Sequence, residues 1–415
     1  MQIASNSIER HLLRRISESV GAAPIQIVLG SERFCPPSVD PVATVIIRDR
    51  QTLAGLIIDP EVGFGEAYSD GRIRVEGDLV RFLEAVYNSM ADAPAARSWY
   101  SRLASRSMQL WQGNSLGGSR DNIHHHYDLG NDFYKLWLDR DLVYTCAYFP
   151  SPSATLEAAQ TAKMDYVCQK LRLHPGETVV EAGCGWGALA LHMAHNYGVS
   201  VKAFNVSHEQ IAFARERARE EGLDQQVEFI EDDYRNVSGK FDVFVSVGML
   251  EHVGIEHYRE LGEVIYRSVS DTGRGFLHFL GRNYPAPLSR WIRKRIFPGA
   301  YIPTLRQALK VLEPWSYSIQ DVENLRWHYA KTMEHWLERF ERSQRQVEAM
   351  YGSRFVRMWR LYLAGSLAAF RTGTLQLFQV VFTGSRCRPI SWTRDHLYAP
   401  APAPIEHQTW TPSMS

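Results

Sequence analysis

Short apolar runs separated by helical patterns dominate the second half of the chain. Residues 156–173 have the spacing of an amphipathic helix, and long helical patterns return at 327–340 and 355–382. Five apolar or β-branched runs have the length of strands: 178–180, 199–204, 227–230, 241–247 and 275–280. Strands that are apolar throughout predict a parallel sheet with helices on both faces, which binds ligands beyond the carboxyl ends of its strands. The pattern therefore predicts an α/β domain.

The N-terminal part has weaker patterns. Residues 8–20 predict an amphipathic helix with a basic side, for which packing within its own domain is favoured over membrane contact. Strands are predicted at 25–29 and 44–47, a glycine-rich connection at 63–71 and a helix from Leu79. We expect a small α+β domain at 1–111, a Gly-, Ser- and Asn-rich linker at 112–122, a larger domain at 123–390 and a Pro-rich, disordered tail at 391–415.

The run TVVEAGCGWGALALH at 178–192 has the order strand, tight turn, helix. Its glycines allow backbone conformations closed to other residues and a close approach of a ligand, so it predicts a nucleotide-like cofactor. The G-x-G-x-G spacing departs from the dinucleotide fingerprint, and a plain glycine turn remains an alternative. The second strand leads to Asn205, Ser207 and Gln210 rather than to the acid that a nicotinamide ribose requires. A nicotinamide cofactor is therefore not expected.

Other polar residues carry weaker signals. Three adjacent histidines at 124–126 point in different directions and have no acid or thiol at ligand spacing, so we expect no metal site. The fourth strand leads into Glu251 and His252, and His278 is a single histidine in an apolar strand, a pattern more typical of a core residue. Residues 288–297 mix four cations with aromatic and aliphatic side chains, which suits either an anionic lipid interface or a solvated helix face.

Composition excludes several classes of protein. Lys and Arg total 46, as do Asp and Glu, so net charge does not favour nucleic acid as a partner. The 5 cysteines lack C-x-x-C spacing, which disfavours a zinc site or a disulfide scaffold and favours a reducing cytoplasm. The sequence has neither an apolar run of membrane-spanning length nor a signal-peptide core, so a soluble or peripheral protein is expected.

Several motifs, in order, resemble the cyclopropane-fatty-acyl-phospholipid synthases and the related mycolic acid cyclopropane synthases and methyltransferases. They are HYDLGNDFY at 126–134, YTCAYF at 144–149, EAGCGWG at 181–187, SVGMLEHVG at 246–254 and HYAKTMEHWLERF from His328. The likeness covers nearly the whole chain. It implies a class I methyltransferase fold, Rossmann-like, with a mostly parallel seven-stranded sheet. It also implies a lipid-contacting N-terminal domain and helical insertions that bind an acyl chain.

The resemblance also implies site residues. Those expected to bind S-adenosylmethionine are Tyr127, Tyr144, Thr145, Glu181, Gly183, Gly185, Gly187, Asn205, Ser207 and Gln210. Those expected to hold a bound bicarbonate are Cys146, Glu251, His278, Tyr329 and the backbone of Leu280. Here His278 and Tyr329 can donate hydrogen bonds to an anion, while Glu251 can accept a proton or orient His278. Cys146 is either a thiol donor or a small apolar lining residue.

The implied activity is methylene transfer from S-adenosylmethionine to the cis double bond of unsaturated acyl chains in membrane phospholipids. The product is a cyclopropane fatty acid, formed through a carbocation that bound bicarbonate deprotonates. Alternatives are C-methylation to a branched fatty acid, N-methylation of a small molecule, and a non-catalytic lipid-binding protein. The expected location is cytoplasmic, peripheral at the inner membrane face, and the bacterial relatives imply a homodimer.

Overall fold

A computed structural model describes residues 2–37, 40–92, 129–387 and 392–398 of the chain. Tyr127, the histidines at 124–126, the predicted linker and most of the predicted tail lie outside these ranges. The boundaries proposed for the two domains therefore stay predictions. Among the described helices, none combines the length and apolar character needed to cross a bilayer.

The described residues of the N-terminal part form a small sheet and four helices. Its elements are α1 (Gln2–Ser19), β1 (Ile25–Leu29), β2 (Glu32–Phe34), β3 (Ala43–Ile47), α2 (Arg50–Ile58), α3 (Pro60–Ser69), β4 (Ile73–Glu76) and α4 (Leu79–Asp92). The strand order is β2-β1-β3-β4, with β1 and β3 parallel. Alternate residues of β1 are buried, which is the pattern of a strand with one face in the core. The predicted strands and helices at 8–20, 25–29, 44–47 and from Leu79 all lie in these elements.

The predicted glycine-rich connection at 63–71 is wrong, because most of it belongs to α3. The Asp59 side chain accepts a hydrogen bond from the Val62 backbone, and Pro60 occupies the first turn, so the helix has strong start signals. A Cβ at Gly63 would lie 2.6 Å from the Gly55 carbonyl oxygen, and one at Gly65 would overlap the Trp291 ring. These glycines permit close packing of α3 rather than a turn.

The larger part of the chain is built on a seven-stranded sheet, order β10-β11-β9-β8-β5-β6-β7. Its strands are β5 (Thr178–Ala182), β6 (Ser200–Asn205), β7 (Val227–Glu231), β8 (Phe241–Val247), β9 (Val269–Gly281), β10 (Ser318–Asn324) and β11 (Gln376–Thr383). Strands β5 to β9 are parallel, whereas β11 is antiparallel to both β9 and β10. Val179 and Val180 pack into different clusters, so β5 is covered on both faces as expected.

Helices surround this sheet and fill the space between it and the N-terminal part. They are α5 (Asn131–Lys135), α6 (Leu156–Leu171), α7 (Ala188–Tyr197), α8 (His208–Glu220), α9 (Leu250–Val253), α10 (Tyr258–Ser268), α11 (Arg290–Arg295), α12 (Leu305–Ala308), α13 (Arg326–Arg342) and α14 (Gln344–Arg371). One core cluster joins Leu53 and Phe82 of the N-terminal part to Trp336 and Trp359 of α13 and α14. The two parts of the chain thus share a hydrophobic core.

The single long helix predicted at 355–382 is wrong at its end. Helix α14 ends at Arg371, Gly373 adopts a positive φ of 77°, and β11 follows. Residues LFQVVFT are rich in β-branched and aromatic side chains, and they pair with β9 in the middle of the sheet. Long-range pairing decided the structure of a run whose periodicity alone was ambiguous.

Helix α11 contacts α3, which neither interpretation of its cations anticipated. Arg295 donates to both carboxylate oxygens of Glu66, at 2.6 and 2.8 Å, and Lys294 lies 3.6 Å from the same group. Arg290 pairs with Asp59 at 2.7 Å, and the Trp291 ring lies against Gly65. Three of the predicted lipid-facing or solvated cations therefore bind acidic residues of the N-terminal part.

Glu66 is expected to be a stability determinant of this contact. It also accepts a hydrogen bond from Arg354 at 2.6 Å, and the hydrogen bond from Arg295 lowers its pKa. Replacing Glu66 with Gln should cost ~2 kcal/mol of unfolding free energy, because charge-assisted hydrogen bonds to a largely buried carboxylate are lost. Urea unfolding measures the loss. The control is Glu76→Gln, which breaks one exposed pair with Arg74, and an equal loss in both variants would contradict the prediction.

Candidate active site

The glycine loop lies at the carboxyl end of β5, between neighbours β6 and β8, where the strand order reverses. Gly183, Gly185 and Gly187 have φ values of 84°, 54° and 84°. A Cβ at Gly187 would lie 2.6 Å from the Phe229 ring, whereas one at Gly185 would meet nothing within 4 Å. Gly187 is thus required for packing, while Gly185 borders open space that a ligand can fill.

Glu181 and Lys163 are two buried titratable groups near this loop that influence each other electrostatically. Burial raises the pKa of Glu181 to about 7, against the effect of Lys163, and its Oε2 has no hydrogen-bond partner among the described residues. Lys163 of α6 donates to the Thr145 hydroxyl at 3.2 Å, and burial lowers its pKa to about 8. Sequence reasoning missed Lys163, although a lysine among the apolar positions of helix 156–173 was an available signal.

Asn205, Ser207 and Gln210 lie beside the glycine loop and are linked to it. Asn205 Nδ2 donates to the Gly185 carbonyl at 3.2 Å and to Gln210 Oε1 at 2.7 Å. The Ser207 hydroxyl caps α8 by accepting a hydrogen bond from the Gln210 backbone at 3.4 Å. The structure therefore brings these three predicted cofactor residues together with Gly185, and it gives Ser207 a structural role as well.

The segment with Tyr144, Thr145 and Cys146 reaches the same edge of the sheet. The Tyr144 hydroxyl hydrogen-bonds that of Tyr362 at 2.7 Å, and the Thr145 carbonyl accepts from Gln160 at 2.9 Å. Cys146 is fully buried and donates to the Ala147 carbonyl at 3.2 Å. Burial raises the pKa of its thiol, so this group stays protonated.

Glu251 and His278 form the polar part of the predicted anion site. The Leu280 N–H donates to Glu251 Oε1 at 2.5 Å, while Glu251 Oε2 and His278 Nε2 are buried without partners among the described residues. Burial raises the pKa of Glu251 to about 7 and lowers that of His278 well below its ordinary value. Both groups can therefore be uncharged near neutral pH.

Two details differ from the implied roles. The Leu280 backbone was expected to donate to the anion, but here it donates to Glu251. Orienting His278 was one of the two roles considered for Glu251, and here Gln379 of the neighbouring strand β11 lies 3.1 Å from His278 Nδ1. With the Gln379 amide nitrogen as donor, the imidazole proton is on Nε2, which then donates into the site. Sequence reasoning missed Gln379, which is 101 residues away.

Apolar and aromatic groups complete this edge. Cys146 packs with Leu325 and Leu377, and Leu280 and Tyr329 lie against them, so three predicted residues converge in one cluster. The Tyr329 ring stacks on Phe370 with centroids 4.4 Å apart. The site is therefore dry and aromatic on the side next to Glu251 and His278.

The unpartnered atoms test whether the implied ligands fit. Buried polar atoms in proteins nearly always have partners, so Glu251 Oε2, His278 Nε2 and Glu181 Oε2 require ligand or solvent atoms. One donor and one protonatable acceptor in a dry site suit a small anion that carries its own proton, such as bicarbonate. A carboxylate beside an open glycine loop suits the ammonium group of an amino-acid cofactor.

Comparison with known sequences identifies the family of this chain. The model of the family described as mycolic acid cyclopropane synthetase matches residues 115–380. The chain belongs to the mycolic acid cyclopropane synthetase family. It is accordingly an S-adenosylmethionine-dependent methyltransferase, and the class I methyltransferase fold expected from sequence is confirmed.

Individual family members are similar over most of their length. The cyclopropane-fatty-acyl-phospholipid synthase of Escherichia coli is 35% identical over 342 residues, covering 82% of this chain and 88% of that one. A probable fatty acid methyltransferase of Pseudomonas putida is 32% identical over 376 residues, covering 86% and 92%. The solved structure of mycolic acid cyclopropane synthase CmaA1, complexed with SAH and CTAB, is 28% identical with a TM-score of 0.61, covering 64% of this chain and 98% of that one.

The raised pKa of Glu181 predicts a pH-dependent stability difference. The carboxyl stays protonated in the folded protein up to about pH 7 but ionises in the unfolded chain from about pH 4.5. Ligand-free wild type therefore loses stability between pH 4.5 and 7, by ~3 kcal/mol at most, and a Glu181→Gln variant does not. The advantage of the variant in thermal unfolding should grow over this window and stay constant above it. Glu209→Gln, an exposed carboxyl, is the control, and a constant difference would contradict the prediction.

Proposed function

We propose that this enzyme transfers a methylene group from S-adenosylmethionine to the cis double bond of unsaturated phospholipid acyl chains, forming cyclopropane fatty acids. The observation that carries the proposal is the pair of unpartnered buried atoms, Glu251 Oε2 and His278 Nε2, beside an aromatic, apolar edge. Ring closure needs a proton acceptor next to a dry acyl site, whereas simple binding of lipid does not. The name of the Escherichia coli relative supports the same activity.

Bound S-adenosylmethionine would supply an activated methyl group, and bound bicarbonate a base. Towards the cofactor, Gly185 leaves space, Glu181 offers a carboxyl oxygen, and Lys163 holds Thr145 in place. Towards the anion, the His278 Nε2–H donates a hydrogen bond, and Glu251, with its pKa of about 7, can take up or release a proton.

The remaining residues exclude water and stabilise charge. Cys146, Leu325 and Leu377 are buried and keep the reacting double bond away from water. The face of Tyr329, which is fixed by stacking on Phe370, can stabilise positive charge that develops on the acyl chain. The Cys146 thiol needs no ionised form for this role, in keeping with its raised pKa.

The lipid profile of an expressing host tests the proposal. In a bacterium that lacks the activity, expression should add ~14 Da to unsaturated phospholipid chains, the mass of one CH2 group, with loss of the double bond and appearance of cyclopropyl proton signals in NMR spectra. A Glu251→Gln variant at the same protein level serves as control. Products that keep a double bond or carry a methyl branch would refute ring formation.

Methyl branching is the second candidate. The Pseudomonas putida relative and the tuberculostearic acid methyltransferase of Mycobacterium tuberculosis are both 32% identical to this chain, and their names specify fatty acid methylation rather than ring closure. The same lipid profile separates the two activities. S-adenosylmethionine binding without turnover on either route would instead favour a non-catalytic lipid-binding protein.

We also propose that the enzyme acts from the cytoplasmic face of the inner membrane, with phospholipid as its partner. The proposal follows from the acyl substrate, because a membrane lipid is available only at the bilayer. A flotation assay with unsaturated phospholipid vesicles tests it, and absence of vesicle binding would contradict it. The expected homodimer stays a prediction that analytical ultracentrifugation can test.

A further inference from the structure

Two arginines in the segment that follows β9 have buried nitrogen atoms without partners among the described residues. Arg282 Nη1 donates to the Pro287 carbonyl at 2.9 Å, but its Nε is buried and unpartnered. Arg293 Nε and Nη1 are buried and unpartnered as well. Within the described part of the chain, neither side chain has an acidic group within 4.0 Å. Both side chains are half-buried, and burying guanidinium nitrogens without a hydrogen-bond partner is costly, which points to an anionic ligand.

Arg282 continues the face of β9 that carries the anion site. Side chains alternate along a strand, so His278, Leu280 and Arg282 point to the same side. The Arg282 N–H donates to the Pro303 carbonyl at 2.9 Å, which keeps this residue extended beyond the end of the strand. Two residues of strand and an extended arginine place its guanidinium at most ~13 Å from Leu280.

The surroundings of Arg282 come from both parts of the chain. Burial lowers the pKa of its guanidinium, and the groups that interact with it electrostatically include Tyr87 of α4, Glu61 of α3 and Tyr301. The Glu61 carboxylate is already engaged, because it accepts a hydrogen bond from the Arg290 backbone at 2.8 Å. Arg282 therefore lies where the sheet edge meets the N-terminal helices, without a carboxylate of its own.

Apolar side chains pack around Leu280, two residues before Arg282 on the same face of the strand. Leu280 packs against a cluster formed by Leu288, Ala300 and Ile302, and the same cluster is contacted by Ile292, Phe297 and Leu375. Residues between 288 and 302 thus form an apolar wall next to Leu280. Apolar side chains that lie between a reactive site and the partly buried Arg282 suit a ligand with an acyl chain and an anionic head.

We propose that Arg282 binds the phosphodiester group of the lipid whose acyl chain reacts beside Glu251 and His278. The inference rests on the proposed function, since it names the part of the substrate that the site recognises. One leaflet has a hydrocarbon thickness of ~15 Å, so a double bond in mid-chain lies ~8 Å below the ester, with the phosphate a few bonds further. That span agrees with the reach of Arg282 from Leu280.

Lipid binding by the full chain without S-adenosylmethionine provides the test. The ligands are dioleoylphosphatidylglycerol and dioleoylglycerol, which have the same acyl chains, each presented in dodecyl maltoside micelles and followed by tryptophan fluorescence. Wild type should prefer the phospholipid, and Arg282→Gln should reduce that preference about tenfold or more, the effect of losing charge-assisted hydrogen bonds. Arg282→Lys, which keeps the charge, should retain part of it.

Controls separate this role from a structural one. Arg290→Gln, at the start of α11, removes an exposed cation that pairs with Asp59. This variant should keep the wild-type preference for the phospholipid. If Arg282→Gln keeps the wild-type preference, or weakens the binding of both lipids equally, the proposal is wrong. Turnover of the phospholipid by wild type is measured in parallel. Its absence would refute the proposed function without altering the binding result.

Inorganic phosphate distinguishes the two possible sources of a phosphate group. A site for a lipid head should bind free phosphate weakly, because the acyl contacts along Leu280 are missing. Tight binding of inorganic phosphate in calorimetry, lost in Arg282→Gln and without effect on phospholipid binding, would assign the arginine to free phosphate and overturn the proposal.

Discussion

Replacing Glu251 with Gln is expected to lower turnover by about two to four orders of magnitude, the usual effect of losing a group that exchanges protons in catalysis. Gln keeps the shape of Glu and an oxygen that can accept the Leu280 N–H, so the fold should be preserved. Binding of S-adenosylmethionine, measured by calorimetry, should remain nearly unchanged, because Glu251 lies beyond β8 rather than in the glycine loop.

The control for this variant is Glu263→Gln, which changes an exposed carboxylate on α10 and should have wild-type turnover. Normal turnover of Glu251→Gln would remove this residue from the mechanism. Loss of cofactor affinity in the same variant would show instead that Glu251 maintains the structure of the site. The two measurements therefore assign Glu251 to chemistry or to architecture.

Replacing Gly185 with Ala is expected to abolish most S-adenosylmethionine binding, with a loss of affinity of about 100-fold or more, equivalent to ~3 kcal/mol. A Cβ at this position meets no protein atom within 4 Å, so it would occupy the space that we assign to the cofactor. The fold should lose only ~1 kcal/mol, because Ala is strained at a φ of 54° but does not clash. Calorimetry and urea unfolding measure the two effects.

Gly222→Ala is the matched control for Gly185→Ala. Gly222 also has a positive φ, 69°, and open space around its Cβ position, but it ends α8 away from the loop. Its replacement should cost similar stability and leave cofactor affinity intact. Gly187→Ala should behave in the opposite way and destabilise the fold, because its Cβ would lie 2.6 Å from Phe229. Equal affinity in Gly185→Ala and wild type would place the cofactor elsewhere.

The site combines several buried groups that would each destabilise an ordinary core. Burial raises the pKa values of the Glu181 and Glu251 carboxyls. Burial also lowers the pKa values of the Lys163 amine and the His278 imidazole. Perturbed groups concentrated at one edge of a parallel sheet are characteristic of catalytic sites. The core shared with the N-terminal helices packs against Tyr144, Leu280 and Tyr329, so it covers this edge of the sheet.

Local patterns in the sequence were sufficient for most elements of the sheet. The apolar run at 241–247 became β8, a strand buried on both faces, and the runs at 199–204 and 227–230 became β6 and β7, in which exposed residues interrupt the buried ones. The glycine loop was equally visible, since positive φ angles at Gly183, Gly185 and Gly187 restrict the residue type. The resemblance then named site residues, of which Cys146, Leu280 and Tyr329 lie in one cluster.

Only the tertiary structure decided which partners those side chains have. The glycines of α3 permit packing against Trp291 rather than a turn, the cations of α11 pair with Asp59 and Glu66, and β11 replaces the end of a predicted helix. Gln379 lies against His278, and Lys163 is buried where it influences Glu181. The physical reason is common to all of them. Periodicity and backbone preference are local, whereas burial, ion pairing and hydrogen bonding depend on residues that are distant in sequence and adjacent only after folding.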